Sequence, residues 1–390
     1  MAGDPQMSDR AASVACSMRA ISLFTGAGGL DLGCEAAGFR TVAAVEADAT
    51  ARKTLVANRG RFFPDLHPEA VFGDILTTAP ETLLECAEGR DVALVHGGPP
   101  CTPFSKSGYW LEYKRLGADP KASLLDSYVD VIEAVKPQSF LMENVFALAY
   151  RNHNRAVFER FLTRIREAGY AVDHEVLVAG DYGVPQLRQR VFCVGLRTDL
   201  LDVPQAVWRF PWPEATHTGP HETRRWDATR PPHVTAGAAL RDLPDHLNSA
   251  EPEETVSGTF AEDLREVPPG DNYLFLTAKR GHPEPRFEWR SRYWSFLLKL
   301  HPDRPAPTIQ GQPGPWVGPF HRAGRRLRVG EVKRLMTFPD EFEVLGSRRE
   351  QQLQLGNAVP PMMAERIANR LATVLAVAVG SAPVQLADAA

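Results

Sequence analysis

The sequence predicts an α/β fold, a layer of largely parallel strands and helices, joined to a smaller, irregular second domain. Three observations carry this expectation. Short β-branched or apolar runs alternate with helical stretches from Arg19 to about Leu196. A glycine-rich turn, Gly26-Ala-Gly28-Gly29, ends the first of those runs and opens a helix. After about Thr198 the alternation stops, and Pro, Trp, His and Arg become frequent.

Strands are expected at 20–24, 41–45, 92–96, 139–142, 175–178 and 191–194, with helices at 30–37, 49–58, 124–135 and 154–168. Residues 126–135 place apolar side chains at helical spacing and stop before Pro137, whose ring and missing N–H end a helix. Clean periodicity is lost between Pro211 and Pro315, where loops on a small scaffold are expected. A long apolar-rich helix follows at 362–379. The expected division is a disordered lead-in at 1–18, a first domain at 19–197 and a second at 198–343. A segment at 344–380 returns to the first domain, and a flexible tail occupies 381–390.

Two domains are the default for 390 residues, because single cores rarely grow past about 250–300 residues. Hydrophobic and charged fractions of 44% and 24% are those of a soluble globular protein. No run approaches the roughly 20 apolar residues of a membrane span, and the first residues lack the apolar core of a secretory signal. The five cysteines, Cys16, Cys34, Cys86, Cys101 and Cys193, are odd in number and form no C-x-x-C pair. That argues against a disulfide framework and a metal site, and for a reducing cytoplasm. The net charge of −4 argues mildly against nucleic acid, but binding needs local rather than global positive charge. Arg322, Arg325, Arg326, Arg328, Lys333 and Arg334 supply such a run, opposed by Glu331 alone. A solvated charged face is its other reading.

The run from Ile21 to Gly33 is a strand, a glycine turn and a helix start, with Phe24, Gly26, Gly28, Gly29 and Leu30 at its centre. Glycines there let a ligand approach the backbone, since no Cβ intervenes. Glu46 follows Gly26 by about 20 residues, the spacing at which an acid bonds ribose hydroxyls. Asp74, before Ile75, is a second acid that could accept from an adenine amino group. A dinucleotide site would want G-x-G-x-x-G, but Asp31 follows Gly28-Gly29-Leu30. S-adenosylmethionine carries no phosphate and a cationic sulfonium, so it suits a turn flanked by acids better.

Gly97-Gly98-Pro99-Pro100-Cys101-Thr-Pro103-Phe104-Ser105 follows a buried strand. A lone cysteine is usually a small core residue, but this one sits among Gly, Pro, Ser and Thr, behind two prolines that fix its direction. It reads as a nucleophile. Glu143 ends the apolar run Phe140-Leu-Met, where a carboxylate can serve as an acid catalyst or as a solvated strand end. Arg188 and Arg190 stand at alternate positions before a strand, so in extended backbone both side chains point the same way. One guanidinium would hold a substrate carbonyl and orient Glu143. The other would anchor the catalytic loop or a phosphate.

In order, these segments resemble the signature motifs of DNA cytosine-5 methyltransferases, of the bacterial restriction–modification type. The resemblance runs from about Ile21 to Arg370. It takes in Phe24–Gly29, Glu46, Gly73-Asp74-Ile75, Pro99-Pro100-Cys101, Glu143-Asn144-Val145 and Gln186-x-Arg188-x-Arg190. Arg334-Leu-Met-Thr-Phe338-Pro339 and Gln354-Leu-Gly356-Asn357-Ala-Val359-Pro360 complete it. It implies a Rossmann-like S-adenosylmethionine-dependent methyltransferase domain with a smaller irregular target-recognition domain. Cys101 would add to C6 of cytosine, Glu143 would contact N3, and Arg190 would contact the base carbonyl. Phe24, Glu46, Asp74, Ile75, Pro99, Asn357 and Val359 would line the cofactor pocket. Two positions depart from the pattern: Ala47 stands where many relatives have an aromatic residue, and Gly330 where an arginine is common.

The substrate implied is a cytosine rotated out of double-stranded DNA, with 102–118 as a closing loop that brings Ser105 and Ser107 to the vacated space. Arg322, Arg325, Arg326 and Arg328 would meet phosphates, and the irregular domain would read base edges. A monomer in the cytoplasm, partnered genetically by a cognate restriction endonuclease and not by a membrane, fits this picture. A tRNA cytosine methyltransferase shares nearly the same catalytic core and remains the alternative.

Overall fold

A computed structural model describes residues 18–100, 122–150, 154–219, 229–243 and 254–380, with helix side chains described from Leu124 onward. The chain divides into two units. The first comprises Met1–Leu177, Gln189–Glu214 and Met363–Ala390; the second comprises Val178–Arg188 and Ala215–Met362.

The first unit is built on a seven-stranded sheet, ordered β3-β2-β1-β4-β5-β8-β6. Its strands are β1 (Arg19–Leu23), β2 (Arg40–Val45), β3 (Val71–Phe72), β4 (Val92–Gly97), β5 (Ser139–Val145), β6 (Tyr170–Val178) and β8 (Gln189–Arg197). The chain visits β7 (Gln186–Leu187) before β8, and β7 belongs to a separate two-stranded sheet. Pairings β1–β2, β1–β4, β2–β3 and β4–β5 are parallel, and β5–β8 is antiparallel. Helices Gly29–Ala36, Ala49–Phe62, Pro80–Cys86, Ala122–Val135 and Arg155–Glu167 connect or flank the strands. β1, β4 and β5 read as nearly unbroken apolar runs because helices cover both faces of a parallel sheet.

Phe140 shows how tightly that core is set. Its ring meets Tyr128, Phe161 and Tyr170 edge-on, the geometry aromatic quadrupoles prefer. Opposite it on β8 is Gly195, where a Cβ would overlap the ring. A second close approach joins helix Gly29–Ala36 to the C-terminal helix Pro361–Ala378: a Cβ on Gly33 would lie 2.5 Å from the Glu365 backbone nitrogen.

The second unit has short helices at Ala236–Leu240, Ala261–Glu266, Val329–Leu335 and Arg348–Asn357, and its strand β7 pairs in parallel with β9 (Ala306–Pro307). Its apolar cluster of Val256, Leu264, Val267, Tyr273, Leu274, Leu276, Leu297 and Phe320 is held by single side chains from many turns. That is why no periodicity marks it in the sequence.

The boundaries differ from those expected. Residues 198–214 stay with the first unit because Asp173 accepts from the Phe210 backbone N–H and the Trp212 indole, both at 3.1 Å. The segment expected to return at 344 joins the second unit as far as Met362, and the chain from Met363, within the helix Pro361–Ala378, belongs to the first.

Candidate active site

The glycine turn is shaped by left-handed backbone at Phe24 (φ 54°), Gly26 (φ 58°) and Gly28 (φ 79°). Glycine takes this conformation freely, whereas Phe24 holds it at a cost of about 1–2 kcal/mol, the kind of strain that concentrates at functional sites. Nothing lies within 4 Å of the point a Cβ on Gly26 would occupy, so the turn faces open space. At Gly28 the same atom would meet Leu55 at 2.9 Å, which fixes glycine there for packing. Glu46 follows β2 and accepts from the Gly26 N–H at 2.6 Å and the Asp48 N–H at 2.7 Å. Each carboxylate oxygen keeps a second lone pair. Burial raises the Glu46 pKa, against the pull of those two N–H donors. Asp74 is exposed beyond β3, its Oδ1 accepting from Leu76, and Ile75 beside it is buried. An open, glycine-floored turn, a half-buried carboxylate with lone pairs to spare and an apolar side fit a ribose, an adenine and a sulfonium.

The register of β4 on β5 sets Gly97, the last residue of β4, beside Met142, one residue before Glu143. Asn144 donates from its amide to the Pro99 carbonyl at 3.1 Å and so ties the start of the cysteine loop to the strand bearing Glu143. Glu143 is buried, and its Oε1 lies 2.8 Å from Arg190 Nε. A Cβ on Gly98 would come within 3.0 Å of Glu143 Oε2, so glycine at 98 leaves that oxygen approachable. Cys101, Ser105 and Ser107 lie outside the described residues, which stop at the exposed Pro100. Cys34 and Cys193 are buried and Cys86 half-buried, and burial raises the pKa of all three thiols, against nucleophilic use.

Arg188 and Arg190 do not share one extended face, contrary to their spacing. The strand breaks between β7 and β8, with the Arg188 N–H turned back to the Gln186 carbonyl at 3.2 Å. Arg188 is 1% exposed and donates to the carbonyls of Ile309 (3.3 Å), Gly356 (2.9 Å) and Asn357 (3.3 Å), all in the second unit. It is a positioning residue there. Gln186 assists, donating to the Leu335 carbonyl and accepting from the Ile309 N–H at 3.0 Å. Asn357 and Val359 belong to this unit, with Asn357 packed so closely on Gly311 that a Cβ there would lie 2.5 Å from its Oδ1.

The arginine run also divides. Arg325 is buried and clasps Glu331 through two bonds of 2.9 and 2.6 Å, while Arg328 pairs with Glu254 at 2.6 Å. Burial would raise the Glu331 pKa, but its bonds to Arg325 and the Arg328 N–H hold it below the usual range. The expectation that Arg325 meets a phosphate is therefore corrected, since its side chain is enclosed with Glu331, whereas Arg328 gives its Nε to Glu254 and keeps 22% of its side chain exposed. Arg322 is exposed and Arg326 half-exposed.

A buried pair escaped sequence reasoning. Asp31, in the first turn of the helix after the glycine turn, and His96, near the end of β4, are both fully enclosed, with Oδ1 and Nε2 4.0 Å apart. Burial pushes the Asp31 carboxyl up to about 7 and His96 down to about 3. An unfolded aspartate titrates near 3.9. The folded chain thus retains a proton the unfolded chain releases, so this contribution to stability is full below pH 4 and is lost as pH rises to 7. Asp31→Asn should therefore stabilise the protein more at pH 8 than at pH 5, by roughly 2–3 kcal/mol. Thermal melts of both proteins at the two pH values check this, and an offset independent of pH would refute it.

A family model described as C-5 cytosine-specific DNA methylase matches residues 18–373. The chain is 47% identical over 365 residues to the type II methyltransferase M.SacI of Streptomyces achromogenes, covering 87% of this chain and 89% of that one. It is 31% identical over 353 residues to M1.HphI of Haemophilus parahaemolyticus, covering 90% and 86%. Among solved structures, Spodoptera frugiperda DNMT2 superposes with a TM-score of 0.58 at 16% identity, over 91% of this chain and 99% of that one, a likeness of fold alone.

Proposed function

The chain belongs to the C-5 cytosine-specific DNA methylase family and is a DNA cytosine-5 methyltransferase of the type II restriction–modification type; on that premise we propose how it works. The target cytosine is rotated out of the duplex, because its ring edge is unreachable within the stack. Cys101 adds to C6, which gives C5 enamine character and divides one hard step into easier ones. The bound S-adenosylmethionine supplies an electrophilic methyl group. Phe24, Gly26, Gly28, Gly29, Leu30, Glu46, Asp74, Ile75 and Pro99 would hold it in the first unit, with Glu46 accepting from ribose hydroxyls. Glu143 protonates or hydrogen-bonds N3 as C6 is attacked. Arg190 orients that carboxylate and contacts the base carbonyl, and Asn144 fixes the approach of the cysteine loop through Pro99.

The observation that carries this reading is the 2.8 Å Arg190–Glu143 pair on strand ends that also anchor the Pro99 carbonyl. Methylation of a short site by a monomer in the cytoplasm would protect host DNA from a cognate endonuclease linked to it genetically. A tRNA cytosine is the less favoured substrate, since relatives such as M.SacI, at 47% identity, are type II methyltransferases. Tritium transfer from labelled S-adenosylmethionine tests the assignment directly. Bacterial genomic DNA should be labelled, bulk tRNA should not, and Cys101→Ser should abolish labelling. Labelling of tRNA alone, or undiminished transfer by Cys101→Ser, would overturn it.

A further inference from the structure

β2 and β3 run parallel and end side by side, with Val45 paired to Phe72 and the Glu46 N–H donating to the Phe72 carbonyl at 3.0 Å. Glu46-Ala47 and Gly73-Asp74 therefore leave the same edge of the sheet together, the edge at which α/β sheets gather ligands. An adenosine whose ribose meets Glu46 and whose amino group meets Asp74 lays its flat ring across the gap between these two segments. Ala47 offers that ring a single methyl group, too little to cover it.

Arg52 reaches into this gap from the start of the helix Ala49–Phe62 and is half-buried there. Its Nη1 donates to the Glu46 carbonyl at 2.7 Å and to the Ala47 carbonyl at 2.8 Å. One nitrogen clamped by two acceptors fixes the whole guanidinium, because the group is planar. The point a Cβ on Gly73 would occupy lies 3.8 Å from Arg52 Nη1 and 4.0 Å from its Cζ. Nearly equal distances to two bonded atoms, with no other guanidinium nitrogen closer, put that point over the flat face and not beyond its edge. The height is that of an optimal non-bonded contact, about 3.5–4.0 Å. Glycine at 73 adds no side chain on that face, so a ligand can approach it along the backbone.

We propose that Arg52 is the adenine cover of the cofactor site: its guanidinium, held by the Glu46 and Ala47 carbonyls, stacks on the purine ring that enters over Gly73. This rests on the reading of Glu46 and Asp74 as the adenosine contacts of an S-adenosylmethionine site. Guanidinium is weakly hydrated for a cation and stacks on aromatic faces, so it loses little water when a ring settles on it. A long side chain already fixed by two carbonyls also gives up little rotamer freedom on binding.

The test is calorimetric binding of S-adenosylhomocysteine to the full-length protein, with S-ribosylhomocysteine, the same ligand without its purine, as the second probe. Arg52→Ala should weaken S-adenosylhomocysteine binding about tenfold, the effect of losing one stacked contact. S-ribosylhomocysteine binding should stay within about twofold of wild type, since only the ring loses a partner; that also shows that the variant folds. Arg52→Lys keeps a donor for the two carbonyls but offers no plane, so it should lose nearly as much as Arg52→Ala. Undiminished S-adenosylhomocysteine binding by both variants would overturn the proposal. So would an equal loss for both ligands, the mark of a residue that shapes the Glu46 turn without touching the ring. A wild-type protein that binds no S-adenosylmethionine would instead defeat the cofactor reading beneath it, so the two failures are distinguishable.

Discussion

Glu143→Gln should lower kcat by roughly 10²–10⁴-fold, the range that removal of a positioned acid–base group produces, while S-adenosylmethionine affinity stays within a fewfold. Glutamine keeps the size of the side chain but holds no proton to give to N3. Arg190→Ala should cost less, about 10²-fold, because Glu143 stays on its strand but loses the 2.8 Å contact that orients it. The double variant should be little worse than Glu143→Gln alone, since the two residues act as a unit. Single-turnover methyl transfer at saturating DNA reads each effect without product release. Full activity of Glu143→Gln would remove the carboxylate from the reaction.

Arg188→Ala should act on stability instead. Three backbone carbonyls would lose their donor inside the second unit, and a stranded buried acceptor costs about 1–3 kcal/mol. The expected loss is on the order of 3–5 kcal/mol, a large share of the roughly 5–15 kcal/mol that holds a domain folded. Arg188→Lys should recover little, because an ammonium cannot span three carbonyls as a planar fork does. Arg190→Ala strips one partner from a largely buried carboxylate and should cost about 1–3 kcal/mol, less than Arg188→Ala. Urea unfolding of the three variants checks this contrast. Equal stability of Arg188→Ala and wild type would show that the carbonyl clamp has been misassigned.

The two arginines also show where sequence reading succeeds and where it stops. β1, β2, β4 and β5 were legible because strands buried on both faces are continuous apolar runs, and the helix before β5 carries its own stop signal at Pro137. Glu143 and the glycine turn were legible because each lies at a strand end, where ligands of α/β sheets gather. Arg188 was not, since its partners lie 121 to 169 residues away. The Arg328 pairing was equally out of reach: its Glu254 partner is 74 residues distant, and a run of like charges looks solvated until its acids are found. β3, β7 and β9 have two residues each, too few to show any period. Asp31 and His96 carried one signal, ionisable residues within otherwise apolar and glycine-rich segments, but only packing shows that they meet.

The proposed covalent step assigns sulfur chemistry to Cys101; nearby, Pro99 is held by Asn144, and Glu143 pairs with Arg190. Incubation with S-adenosylmethionine and a methylation-site duplex carrying 5-fluorocytosine at the target tests it most directly. Fluorine at C5 blocks the proton loss that releases the enzyme, so a denaturation-resistant protein–DNA adduct should accumulate, and its tryptic peptide should carry the base on Cys101. No adduct from a preparation that methylates the unsubstituted duplex, or an adduct undiminished in Cys101→Ser, would contradict the account.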